Sequence, residues 1–127
     1  MAATTPLDRL SALLERCRFR AQLFHQGPLC GLNRFDVLPG RAFLHVLRRG
    51  AMRVRQPGRN GRAQVLDLDQ PTLLLYPRPL EHSFEHALAA GSDLVCATLA
   101  FDGNEAHPLV RALPSTLTLP LARVEGI

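Results

Sequence analysis

Ala42-Phe43-Leu44-His45-Val46-Leu47-Arg48-Arg49-Gly50-Ala51-Met52-Arg53-Val54-Arg55-Gln56-Pro57-Gly58 decides the fold class of this chain. Ala42–Leu47 is an extended, largely apolar stretch that Gly50 ends. Beyond it Met52 and Val54 alternate with Arg53 and Arg55, the period of two that puts one face of a strand inward and a charged face in water. Pro57, Gly58, Asn60 and Gly61 then form a hairpin loop, and Gln64–Leu68 returns from it.

The same pattern extends in both directions. Upstream, Phe19, Ala21 and Leu23 alternate with Arg18, Arg20 and Gln22 until Gly27 and Pro28 break the strand, and Leu32–Leu38 is extended up to Pro39-Gly40. Downstream, Thr72–Tyr76 is an apolar run stopped by Pro77, and His82–His86 and Leu94–Phe101 are two more strands around a Gly-Ser turn. Short strands at regular spacing, with no helical patterns alternating between them, predict an antiparallel barrel or sandwich rather than a parallel sheet. Helical periodicity occurs only at the ends. Thr5, Pro6 and Asp8 open a short helix with an apolar stripe of Leu7, Leu10, Leu14 and Cys17. Ala106, Leu109, Val110 and Leu113 make a short helix near the C-terminus, with His107-Pro108 at its start and Pro114 ending it. The tail Thr116–Leu121 reads as extended or irregular.

Composition sets the bounds. The chain has 127 residues, 46% of them hydrophobic, which suits one domain spanning 1–127 with a core of its own. Its three cysteines, Cys17, Cys30 and Cys96, form no C-x-x-C pair and no disulfide framework. Met1–Thr5 carries no secretory pattern and no apolar run is long enough for a bilayer, so a soluble, cytoplasmic protein without membrane contact is expected. The net charge is +4, and every basic residue is arginine. Six arginines lie between Arg48 and Arg62 with no acid among them. They read either as a solvated strand face and loop or as a surface for nucleic acid or an acidic partner, though no aromatic residue interleaves to stack on bases. No Ser-His-Asp spacing, phosphate loop or paired carboxylate stands out.

The chain resembles the cupins, small jelly-roll barrels marked by two short motifs. In Tyr76-Pro77-Arg78-Pro79-Leu80-Glu81-His82, Pro77 and His82 stand where the second motif has its proline and histidine, while Pro79 and Pro71 replace its glycines. Phe43–Gly50 fits the end of the first motif. Its metal-binding histidine pair and glutamate are not matched, because Val37, Pro39 and Phe43 stand there. A closer resemblance is to the N-terminal domain of AraC-type transcription regulators. The leucine-rich opening, Gly27-Pro28, His45 before Gly50, Leu94-Val95-Cys96, Phe101-Asp102, His107-Pro108-Leu109 and Ala112-Leu113-Pro114 follow in that group's order over nearly the whole chain.

The resemblance implies a cupin-like antiparallel jelly-roll barrel that senses a small-molecule effector and pairs with a second copy. It would bias a DNA-binding unit, of which no helix-turn-helix pair is read in these residues. The alternatives are a metal-dependent cupin enzyme, an oxygenase or isomerase, and a dimerisation module with a filled interior. Period two puts His45 inward, and His82 holds the motif's ligand position. With Cys96 on a neighbouring strand, the three would suit zinc; otherwise the histidines are hydrogen-bonded core groups, Cys96 is a buried hydrophobe, and no cofactor is held. A ligand cavity would be lined by Phe43, His45, Met52, Val54, Tyr76, His82 and Phe84.

Overall fold

In the computed structural model, which describes residues 18–102 and 106–123, nine strands form two antiparallel sheets. The strands are β1 (Phe19–Leu29), β2 (Leu32–Phe35), β3 (Ala42–Arg49), β4 (Met52–Pro57), β5 (Ala63–Leu68), β6 (Thr72–Tyr76), β7 (His82–His86), β8 (Ser92–Phe101) and β9 (Leu117–Pro120). One helix, α1 (Pro108–Ala112), precedes β9. The order is β1-β8-β3-β6-β9 in the larger sheet and β2-β7-β4-β5 in the smaller. Strands adjacent in sequence therefore mostly lie in different sheets, the crossing pattern of a jelly roll, and only β4 and β5 form a simple hairpin.

Side-chain alternation divides the core into two layers. Phe43, Leu47, Met52, Val54, Leu74, Tyr76, Phe84, Leu94 and Cys96 form one buried cluster, drawn from both sheets. Ala42, Leu75, Leu99, Phe101, Val110, Leu113, Leu117 and Leu119 form a second, on the other face of the larger sheet and under α1. Both faces of that sheet are thus buried, which explains why β6 and β8 read as nearly continuous apolar runs. Helix α1 is held at both ends. The His107 ring accepts from the Leu109 amide at 3.1 Å, and Arg78 Nη1 donates to the Val110 and Leu113 carbonyls, each at 2.8 Å.

Two elements differ from the sequence reading. First, β1 continues through Gly27 and Pro28 to Leu29, where a break is expected. It lies at the edge of its sheet, where a proline need not donate to a ladder, and Gly27 takes a φ of +125°. A register shift lies between Leu23 and His25; Phe19, Leu23 and Phe24 are all exposed, and the Phe24 ring keeps one edge against Phe43. Second, the extended stretch after Pro28 shortens to Leu32–Phe35. The tail, read as extended or irregular, is extended and forms the ninth strand, paired with β6 from Thr72↔Pro120 to Leu75↔Leu117. The expected helix over Leu7–Cys17 lies outside the described residues, and so does Cys17. Among the described residues no helix is long and apolar enough to cross a membrane.

Candidate functional site

The interior between the sheets collects every residue expected to line a cavity. Phe43 and His45 come from β3, Met52 and Val54 from β4, Tyr76 from β6, and His82 and Phe84 from β7; all are buried. The His45 and His82 rings meet edge to face with centroids 5.0 Å apart. Tyr76 stacks on His82 at 4.0 Å, Phe43 stacks on His45 at 5.8 Å, and Phe84 meets His45 edge-on at 4.7 Å. Cys96 on β8 is the register partner of His45 on β3, so the two side chains share a face.

Three contributors to this interior were missed. Phe35 stacks on His82 at 5.0 Å and approaches His45 at 4.8 Å, and Phe24 meets His45 edge-on at 6.4 Å. The third, Gln56, is buried and polar. The Tyr76 hydroxyl donates to Gln56 Oε1 at 2.7 Å, and Gln56 Nε2 donates to Thr116 Oγ1 at 2.7 Å and Gln64 Oε1 at 3.1 Å. The signal for Gln56 was present, since the period of Met52 and Val54 reaches it next, but its polarity hid it. Phe24 is hidden by the shift in β1, which no pattern of residue types announces.

The hydrogen bonds fix the protons of the imidazole pair. His82 Nδ1 lies 2.8 Å from the Leu80 carbonyl oxygen, and His82 Nε2 lies 2.8 Å from His45 Nε2. A carbonyl oxygen only accepts, so His82 carries its proton on Nδ1. Burial lowers the His82 pKa to about 4, against a partial upward pull from the Leu80 carbonyl, and the neutral ring leaves Nε2 as an acceptor. His45 must therefore donate from Nε2. Burial, and secondarily the charge His82 would carry, hold His45 well below the ordinary histidine range, so it too is neutral. Its Nδ1 is then a bare acceptor, and among the described residues it is a buried atom with no hydrogen-bond partner. The chain of donors ends in an unsatisfied lone pair, at a position where desolvation of an acceptor costs about 1–3 kcal/mol.

This chemistry does not fit a divalent metal. Two imidazoles on one zinc would both turn bare nitrogens to it, about 3.3 Å apart for tetrahedral bonds of the usual length. Here the facing nitrogens are 2.8 Å apart with a proton between them. Burial pushes the Cys96 thiol up to about 12, the protonated state of a small buried hydrophobe. Among the described residues no group of three or more His, Cys, Asp or Glu side chains is arranged to hold a metal ion.

A cleft of about 610 Å³ lies where β2 ends, β4 ends and β7 begins; of the seven residues expected to line a cavity His82 reaches it, while His45 and the other five are packed behind its lining. Phe35, His82 and Gln56 reach it from the interior. Arg34, Arg55 and Ser83 reach it from the outer face of the smaller sheet, with Asp36, Glu81 and Glu85 around them. Of the arginines between Arg48 and Arg62, Arg48 pairs with Asp93 and Arg53 with Asp67, each at 2.8 Å. Arg53 and Arg55 point into solvent, as the alternation required.

A model of the cupin family matches residues 8–126. The chain belongs to the cupin family. Among curated proteins no sequence matches this cupin. Solved structures similar to it include a variant of the oxalate decarboxylase of Bacillus subtilis, with 20% identity, a TM-score of 0.44, and coverage of 87% of this chain and 26% of that one. Another is peruvianin-I, a cysteine peptidase from Thevetia peruviana latex, with 18% identity, a TM-score of 0.41, and coverage of 64% of this chain and 48% of that one. The cupin thus spans about a quarter to a half of those chains, and likeness at this level says nothing about its chemistry.

Proposed function

We propose that this cupin is the small-molecule-sensing domain of an AraC-type transcription regulator. An effector enters through the rim cleft and donates a hydrogen bond to His45 Nδ1. Its binding favours one arrangement of the barrel and biases a DNA-binding unit beyond these residues, with the domain paired to a second copy. The Nδ1 of His45, without a hydrogen-bond partner among the described residues and buried among aromatic rings behind His82, which lines the cleft, is the observation that carries the binding role. Apolar walls with a few placed polar groups are the usual makeup of a small-molecule site. The regulatory role is supported by the ordered resemblance from Leu94-Val95-Cys96 to Ala112-Leu113-Pro114. No catalytic role is proposed.

The test is a thermal-shift screen of small hydroxyl- and amide-bearing compounds on the wild type and on His45→Phe. A true effector raises the melting temperature of the wild type by mass action and leaves the variant unmoved. If no compound shifts the wild type, or the same compounds shift both proteins equally, the effector reading fails. Stoichiometric metal in the purified protein, lost on His82→Ala, would favour a metal-dependent enzyme instead.

A further inference from the structure

The outer face of the smaller sheet carries an unusual row where the cleft opens. Arg34 pairs with Ser83 across β2 and β7, and Ser83 pairs with Arg55 across β7 and β4. Cross-strand partners share a face, so the three side chains stand side by side, with a hydroxyl between two guanidinium groups. Neighbouring strands lie about 4.8 Å apart, which separates the Arg34 and Arg55 backbones by about 10 Å, within reach of two long side chains converging on one anion. The adjacent row behaves differently. There Leu32, Glu85, Arg53 and Asp67 are successive register partners, and the Arg53–Asp67 ion pair neutralises its arginine. Neither Arg34 nor Arg55 lies in an ion pair among the described residues.

We propose that Arg34, Ser83 and Arg55 form an anion clamp that holds the carboxylate of a small aromatic or apolar acid, whose body lies against Phe35 at the cleft's inner wall. The clamp rests on the ligand-sensing reading and adds a carboxylate to the donor group that reading requires for His45 Nδ1; benzoate, which has no donor, probes the clamp alone. Two guanidinium forks match a planar carboxylate through paired, charge-assisted hydrogen bonds, and the Ser83 hydroxyl adds a third donor. Asp36 and Glu81 line the same cleft beyond this row, and Glu85 lies on its other side. These three acids outnumber the two arginines, so the clamp holds its anion by directed guanidinium and hydroxyl donors rather than by net charge, and the acids oppose a phosphate dianion more than a monocarboxylate. Phe35 forms the transition from the charged rim to the imidazole pair, because it lines the cleft and stacks on His82.

Isothermal titration with benzoate, benzyl alcohol and inorganic phosphate tests the clamp on the wild type, Arg34→Gln, Arg55→Gln and Arg59→Gln. Arg59 is exposed and outside the cleft lining, so its variant is the control for general charge. Benzoate binds the wild type, more weakly at high salt, and loses about tenfold or more in affinity in Arg34→Gln and in Arg55→Gln, as expected for charge-assisted hydrogen bonds. Arg59→Gln keeps wild-type affinity. Benzyl alcohol binding as well as benzoate, phosphate binding more tightly than benzoate, or unchanged affinity in the clamp variants overturns the proposal. If benzoate fails while a neutral compound still stabilises the protein through His45, the clamp falls and the sensing reading stands. If acids and neutral compounds all fail, both fall.

Discussion

Acidification should destabilise this cupin well before its carboxylates titrate. An unfolded chain presents His82 with the ordinary histidine pKa of 6.5, whereas burial in the folded state lowers it to about 4. Between those values the unfolded state binds the extra proton, so stability is full above pH 6.5 and falls as the pH drops toward 4. The difference of about 2.5 pKa units corresponds to roughly 3 kcal/mol, of which about 2 kcal/mol is lost by pH 5. His45 is shifted in the same direction, chiefly by burial, and His86 also by burial, so both add to the slope with the same sign. Denaturant unfolding at half-unit steps from pH 7.5 to pH 5 measures this directly. The midpoint should hold steady down to about pH 7 and then decline, and the decline should be shallower in His82→Phe, which removes one of the linked protons. Stability that is flat or rising as pH falls from 6.5 to 5, or a His82→Phe variant with the wild-type slope, would refute the neutral, buried pair.

Three further outcomes follow from the geometry. In a double-mutant cycle, His45→Phe and His82→Phe each leave a buried nitrogen of the other ring without its partner. The double variant removes both, so a coupling of about 1–3 kcal/mol is expected by denaturant unfolding, and additive effects would contradict the shared hydrogen bond. Tyr76→Phe deletes the donor to Gln56 Oε1 and should cost about 1–2 kcal/mol in the same assay. Gly91→Ala should lower stability by about 2 kcal/mol or more: Gly91 has a φ of +81°, and a Cβ there would collide with the Leu29 carbonyl oxygen. A melting temperature equal to wild type would contradict that packing.

Much of the interior was legible because it obeys a simple period. Phe43 and His45, Met52 and Val54, and His82 and Phe84 each alternate with residues of the opposite face, and each pair points inward. Other features depend on relations that no local pattern carries. The shift between Leu23 and His25, which leaves Phe24 half exposed with one edge against Phe43 and His45, becomes visible only when β1 is laid against β8. The second core layer exists because β9 extends the larger sheet beside β6 and α1 packs against that face, so Leu75 and Leu99 are buried on a face that alternation alone would leave open. The direct contact of His45 with His82 joins residues 37 apart in sequence. Residue types could nominate two inward histidines, but only the register of β3 and β7 within their separate sheets decides whether they share a proton. The cleft is less legible still, since its row of Arg34, Ser83 and Arg55 comes from three strands that are not consecutive.

Long-range proton–nitrogen correlation of the histidine rings at neutral pH measures the proton positions on which this account turns. Two neutral rings are expected, His82 protonated at Nδ1 and His45 at Nε2, with the His45 Nδ1 resonance at the position of an unprotonated nitrogen that moves when a donor ligand binds. An imidazolium at either position, the opposite pair of tautomers, or nitrogen shifts displaced by a bound metal would contradict it.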